Sequence, residues 1–255
     1  MRNRFYKSMM IISIIIIPIL FSCATTQQEQ IEPKDAKAYH QLGITHMQKG
    51  DFDQAILYFN KAIELDPKSP VAYSNRGAAY ASKGQYDRAI TNWTKALEID
   101  PKYVSAYYNL GYTNCIKGQY DQAILYLNKA LEIDPRHAGA YIERGIAYRE
   151  KGQNDQAISD YTKALEINPR HAGAYANRGN SYVDKGEYDL AISDYTKALE
   201  INPKDASVYC NRGATYYLKK EYDKSWKDIN KAQELGYQVP PKYLDDLRKA
   251  SGRQK

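Results

Sequence analysis

An all-α solenoid is the fold class this sequence predicts, and three observations carry the prediction. From Ala36 the chain repeats every 34 residues, in six blocks that begin at Ala36, Pro70, Val104, Ala138, Ala172 and Ala206. Small and aromatic residues recur at fixed places: Tyr at the fourth (Tyr39 to Tyr209), Gly at the eighth (Gly43 to Gly213) and Ala at the twenty-seventh of all six blocks. The first five blocks each carry Asp-Pro or Asn-Pro near their end, at Pro67, Pro101, Pro135, Pro169 and Pro203. A fixed period in this range marks an architecture whose units stack on their neighbours, because no single unit can bury its own apolar face. The composition fits one motif copied many times, with 25 Tyr against 4 Phe and 2 Trp.

Residues 1–22 read as a leader. Arg2, Arg4 and Lys7 precede an apolar run of 13 residues, Met9 to Phe21, which Pro18 interrupts. That run is too short for a stable bilayer span, so a secretory signal is favoured over an uncleaved anchor. It ends Leu20-Phe21-Ser22-Cys23, which resembles the lipobox of bacterial lipoproteins, with Phe21 larger than the residue usual there. The resemblance implies cleavage before Cys23 and a diacylglycerol on its sulfur. Ala24 stands where some bacteria read Asp as an inner-membrane signal, so an outer-membrane address facing the periplasm is expected. Residues 23–35 are polar and aperiodic, a tether that spans up to roughly 40 Å at about 3.3 Å per residue.

Residues 36–239 hold the six blocks: 36–69, 70–103, 104–137, 138–171, 172–205 and 206–239. Each reads as two amphipathic helices, with small residues at places eight, twenty and twenty-seven letting the backbones approach. Aromatic residues at places four, eleven, seventeen and twenty-four fill the space around them. Asp or Asn before Pro ends the second helix, because a residue preceding proline is pushed out of the helical region. The sixth block departs from the pattern: Lys220 replaces the turn Gly, Ser225 replaces Ala, and Gly236-Tyr237 replaces Asp-Pro. Residues 240–255 follow Pro240-Pro241 as a short helix and tail, with Tyr243, Leu244, Leu247 and Ala250 along one side, expected to cap the stack. This pattern resembles the tetratricopeptide repeat (TPR) family over residues 36–235. The resemblance implies a right-handed α-solenoid of helix–turn–helix repeats whose first helices build a concave wall.

The six copies can be compared with one another. Place seven holds Leu42, Arg76, Leu110, Arg144, Arg178 and Arg212; place twenty-three holds Tyr58, Asn92, Tyr126, Asp160, Asp194 and Asp228. Each Leu accompanies a Tyr and each Arg an Asp or Asn. Pairing each acid with the next block's Arg breaks the rule, so the contact is expected within a block. This favours a structural ion pair over an anion-binding arginine ladder. Such a pair adds little net stability, because desolvation opposes it, whereas breaking one half is costly.

The resemblance places the sixth residue of each block on the concave wall: Gln41, Asn75, Asn109, Glu143, Asn177 and Asn211. An amide offers a donor and an acceptor, so a row of them can hold the backbone of an extended peptide. The row resembles the asparagine ladder of a TPR-bearing sugar transferase, interrupted here by Glu143; the competing reading is solvated consensus. Tyr108, Tyr112, Ile142, Ile146 and Asn180 are the other expected groove residues. The basic set of chaperone-tail carboxylate clamps is not in place.

Other function classes find little support. Without the leader's Arg2, Arg4 and Lys7, 33 basic residues face 30 acidic ones, a net +3 that is too mild to argue for nucleic acid. No phosphate loop, nucleophile elbow or metal-ligand spacing occurs, so no cofactor and no catalysis are expected. His137 and His171 sit in the duplicated string Arg-His-Ala-Gly-Ala-Tyr, and His40 and His46 face different directions on one helix. Cys115 and Cys210 read as small unpaired residues. The expected function is an envelope-anchored adaptor that holds a peptide or helix of an envelope protein. Pilotin-like assistance to secretin assembly, service to a protease or peptidoglycan hydrolase, and self-association are the narrower alternatives.

Overall fold

Thirteen α-helices and no strand make up the described residues, 35–253 of this computed structural model. The leader, Cys23 and the tether through residue 34 lie outside them. Each block folds as a helical hairpin: α1 (Ala36–Gln48) with α2 (Phe52–Leu65), α3 (Pro70–Ser82) with α4 (Tyr86–Ile99), and α5 (Val104–Ile116) with α6 (Tyr120–Ile133). The series continues through α7 (Ala138–Glu150) with α8 (Asn154–Ile167), α9 (Ala172–Asp184) with α10 (Tyr188–Ile201), and α11 (Ala206–Leu218) with α12 (Tyr222–Glu234). Successive first helices touch one another from α1 through α11, while no successive pair of second helices makes comparable contact. The stack therefore curves towards its first helices, which form the inner wall.

The close approach within each hairpin has one cause. Glycine at place eight faces the side chain at place twenty-four. A Cβ on Gly43 or Gly111 would stand 2.4 Å from Phe59 or Leu127, and one on Gly145 would stand 2.7 Å from the Tyr161 ring. Those side chains are fully buried, so none can swing aside. The alanines at places twenty and twenty-seven are likewise buried. Between the helices, Gly50, Gly84, Gly118, Gly152 and Gly186 adopt φ of +70° to +76°. Lys220 keeps the same turn at φ +61°, a conformation that costs an L-residue about 1–2 kcal/mol. The Asp or Asn before each proline also closes its turn with a side-chain bond, as in Lys102 N–H to Asp100 Oδ1 at 2.9 Å.

Two ladders tie the blocks together. On the surface, Lys83, Lys117, Lys151, Lys185 and Lys219 reach back to Asp53, Asp87, Asp121, Asp155 and Asp189 of the preceding block, the second pair at 2.7 Å. Exposed pairs of this kind contribute only about 0–1 kcal/mol each. The second ladder is buried. Arg144 donates from Nε and Nη2 to Asp160 at 2.7 and 2.6 Å, and from Nη1 to Asn128 of the preceding block at 2.6 Å. Arg178 and Arg212 repeat this fork on Asp194 with Thr162 and on Asp228 with Thr196. Arg76 bonds to the neutral Asn92 and Asn60, both at 2.7 Å. The tyrosines at places four and eleven bracket two of these guanidiniums, with Tyr141 and Tyr148 at 5.5 and 5.9 Å from Arg144 and Tyr175 and Tyr182 about Arg178, while Arg76 and Arg212 lie over Tyr73 and Tyr209. Burial holds the Asp160 carboxyl above its ordinary range despite Arg144, so desolvation outweighs the pairing there. In the third block Leu110 is buried instead, with Tyr126 packed against its cluster.

The C-terminal helix α13 (Pro241–Ser251) is more than a cap, because it keeps the 34-residue register. Tyr243 falls at place four of a seventh block and Arg253 at place fourteen, where Arg253 continues the surface ladder to Asp223 at 2.8 Å. Place eight is Leu247, fully buried beside Trp226 and Ile229. Ser225 keeps the small side chain its place needs, and its hydroxyl lies 3.3 Å from the Tyr243 hydroxyl.

The buried fork makes a testable pair. Arg178→Leu and Asp194→Tyr should each lower unfolding free energy by roughly 3 kcal/mol, since each strands a buried partner. The double change installs the Leu–Tyr solution of the first and third blocks and should recover most of that loss in denaturant titrations. Additive losses would contradict it.

Candidate functional site

The inner wall is built from α1, α3, α5, α7, α9 and α11, and its seams carry the sixth residue of each block. The structure divides that row into satisfied and unsatisfied members. Asn75 Nδ2 lies 2.8 Å from His40 Nε2 on the first helix of the preceding block. Asn211 Nδ2 donates to Asn180 Oδ1 at 3.2 Å, and the same oxygen accepts from the Tyr195 hydroxyl at 2.7 Å. Asn75, Asn180 and Asn211 therefore cross-link the scaffold, which an expectation of free groove amides did not foresee. In the centre, Asn109, Glu143 and Asn177 are only partly buried, and their side chains have no hydrogen bond or ion pair among the described residues.

Ile142 requires a correction. Expected in the groove, it is 8% exposed and packs in the core cluster with Tyr161, Ala174 and Leu165, because α7 lies close against its neighbours there. Ile146 is partly buried on the same cluster. Tyr112 is 44% exposed and stacks with Tyr108 at 6.4 Å, while Tyr108 lies 4.8 Å from the His137 ring. His137 and His171 act as helix N-caps, each Nδ1 accepting from a backbone N–H at 3.0 Å. This gives the duplicated string a structural use.

Sequence reasoning missed two features of the wall. Ile116 and Leu218, at place thirteen, are about half exposed, and Ile116 extends the Tyr108–Tyr112 stripe by one more turn. The signal was available as the spacing of four between Tyr108, Tyr112 and Ile116. Arg149 bridges to Asp184 of the next block at 2.7 Å, and with Asn180, Tyr195, Asn211 and Leu218 they line a small cavity of about 140 Å³. Among the described residues no cluster of His, Cys, Asp and Glu could hold a metal ion. No helix among them is long and apolar enough to cross a membrane.

Glu143 is the one acidic member of the row. Its surroundings are Tyr108 and Cys115 of α5 and Tyr161 of α8, and the Cys115 thiol contacts the Glu143 carbonyl oxygen at 3.6 Å. Burial raises its carboxyl from the ordinary 4.5 to about 7. Burial likewise pushes the Cys115 thiol and Tyr108 hydroxyl up to about 12, so both stay protonated at neutral pH. A folded-state value above the unfolded one means that the charged form is disfavoured by folding. The cost is complete above pH 7 and disappears as pH falls towards the ordinary value. Glu143→Gln should therefore be more stable than wild type by about 2 kcal/mol near pH 8, after discounting for partial exposure, with the margin closing towards about pH 4.5. Thermal unfolding across that range checks it; a margin independent of pH would contradict the assignment.

Comparison with known proteins agrees with the hairpin geometry. Family models described as TPR repeat match residues 77–115, 145–183 and 179–220, and tetratricopeptide-repeat models match 36–69, 104–137, 58–91 and 126–159. No curated protein matches the chain. Among solved structures, MamA is 33% identical over 65% of this chain and 96% of its own, with a TM-score of 0.58. YrrB, described as a TPR protein with an unusual peptide-binding site, is 26% identical over 76% of this chain and 98% of its own, with a TM-score of 0.62. Pseudomonas aeruginosa pilF superposes at a TM-score of 0.74 over 84% of this chain and 97% of its own; at 20% identity this is a likeness of fold alone. With repeat models matched from residue 36 to 220 and hairpins in unbroken register, the chain belongs to the tetratricopeptide-repeat family.

Proposed function

We propose that this chain is a non-catalytic adaptor, held to a bacterial envelope by a lipid on Cys23, that binds a peptide or helix of an envelope protein along its inner wall. One observation carries the binding role. Asn109, Glu143 and Asn177 occupy the same place in three successive blocks, partly buried yet without internal partners, while Asn75 and Asn211 towards the ends are satisfied. Partly buried polar groups left open along one line suit an extended ligand whose backbone supplies the missing donors and acceptors. The Tyr108–Tyr112–Ile116 stripe beside them supplies apolar contact. The peptide-binding site ascribed to YrrB supports the same class of ligand. Anchoring rests on the Leu20-Phe21-Ser22-Cys23 string, and Ala24 favours the outer membrane.

Both parts are testable in cells. A photo-crosslinking residue at Asn109 or Tyr112 should capture a discrete envelope protein, whereas one at the outward-facing Leu57 or Leu125 should not. Changing Asn109 and Asn177 together to Ala should abolish capture from Tyr112 without lowering thermal stability, since neither side chain has an internal partner. Equal capture from both faces, or capture indifferent to the double change, would move the site off this wall. For the anchor, Cys23→Ala should lose incorporation of a tagged fatty acid and leave the membrane fraction. Unchanged labelling would remove the lipid.

A further inference from the structure

The centre of the wall is specific about what it leaves unsatisfied. The Glu143 carboxylate has no cation within reach among the described residues. Arg149, a basic residue of the same helix, is committed to Asp184, and the Arg144 guanidinium is forked onto Asp160 and Asn128. His137 Nδ1 is an acceptor from the Ala140 N–H, so its ring caps α7 while it stacks on Tyr108. The groups around Glu143 are two phenols and a thiol, none of which supplies a positive charge.

A second unsatisfied group belongs to the same block. The Tyr161 hydroxyl is fully buried and has no hydrogen-bond partner. In the following block the equivalent Tyr195 hydroxyl donates to Asn180, at place nine. Place nine of the Tyr161 block is Ile146, so the same architecture there leaves the phenol without its acceptor. Buried polar groups without partners are rare, and each costs about 1–3 kcal/mol, which calls for an explanation at a specific site. The open contact is thus a carboxylate lacking a donor, on the inner wall that also carries the stacked Tyr108–Tyr112 pair, whereas the Tyr161 phenol lies in the core on α8. Carboxylate and aromatic faces together favour a cation, through charge-assisted hydrogen bonds and ring quadrupoles.

We propose that the segment bound along this wall seats a lysine or arginine side chain at Glu143, with a neighbouring apolar side chain against Tyr112 and Ile116. The inference rests on the groove reading above and adds to it the chemical class of the key contact. The ammonium or guanidinium donates to the Glu143 carboxylate, and its alkyl stem lies along the Tyr108–Tyr112 rings. Recognition of this kind differs in sign from capture of an acidic tail, which would leave Glu143 facing like charge.

The test uses the full chain, detergent-solubilised and immobilised, as bait for a phage-displayed library of random linear peptides. Enriched peptides should carry Lys or Arg beside Leu, Ile, Phe or Tyr. One is synthesised, and its basic residue changed to Met. Against wild type that change should weaken binding about tenfold or more, and against Glu143→Gln it should make little difference. Thermal unfolding confirms that the Gln variant is folded. Enriched peptides that lose binding to Tyr112→Ala but carry no basic residue would overturn the cation proposal and leave the groove reading standing. So would an equal loss on wild type and Glu143→Gln. No enrichment, or binding indifferent to both Tyr112→Ala and the Asn109 and Asn177 double change, would overturn the groove reading and this proposal with it.

Discussion

The contact between a bare glycine at place eight and a large side chain at place twenty-four sets the geometry on which the rest of the molecule depends. With no Cβ at Gly43, Gly77, Gly111, Gly145, Gly179 or Gly213, the second helix of each hairpin lies close against the first. The facing residue changes freely, from Phe59 to Trp93, Leu127, Tyr161, Tyr195 and Ile229, because the glycine sets the approach and the partner only has to fill it. Six nearly identical hairpins follow, so each block presents its neighbour with the same surface. Stacking at a constant offset then bends the array towards the first helices and leaves them as the inner wall.

Within that frame the buried fork shows how a repeat scaffold admits two solutions to one problem. Arg144, Arg178 and Arg212 fill place seven as ions, while Leu110 fills it as a hydrophobe, and the partner at place twenty-three changes with it. The ion solution does something the apolar one cannot, since its third N–H reaches Asn128, Thr162 or Thr196 on the preceding block. Its contribution lies as much in fixing the register between blocks as in net stability, consistent with Asp160 being held above its ordinary range by burial.

Much of this was legible because it is periodic. The glycine, alanine and proline places and the Leu–Tyr or Arg–Asp alternation recur within one chain, so the copies serve as their own comparison. What escaped depends on contacts between blocks, where no single block carries the signal. Asn75 and His40 meet across 35 residues, as do Arg149 and Asp184. The surface Lys–Asp ladder spans 30, a spacing that a 34-residue alignment does not display. The seventh block was hidden because Leu247 stands where the six preceding blocks have glycine. Ile142 was placed in the groove because its register matches that of Tyr108, yet α7 lies close enough to its neighbours to bury it.

The same reasoning explains why the candidate site sits at the centre of the wall. Fixed places are bound by the hairpin, but places six and nine lie at the seams between first helices, and their residues differ from block to block. Near the ends that freedom is used internally, as in the Asn211–Asn180–Tyr195 chain of hydrogen bonds. In the fourth block Ile146 stands where the fifth has Asn180, so the Tyr161 phenol and the Asn177 amide, whose counterparts Tyr195 and Asn211 both bond to Asn180, lose that partner together. A scaffold that satisfies these groups one block later shows that the deficit is not forced by the fold. Stability given up at one point on an otherwise satisfied wall is the physical signature of a surface shaped for something other than itself.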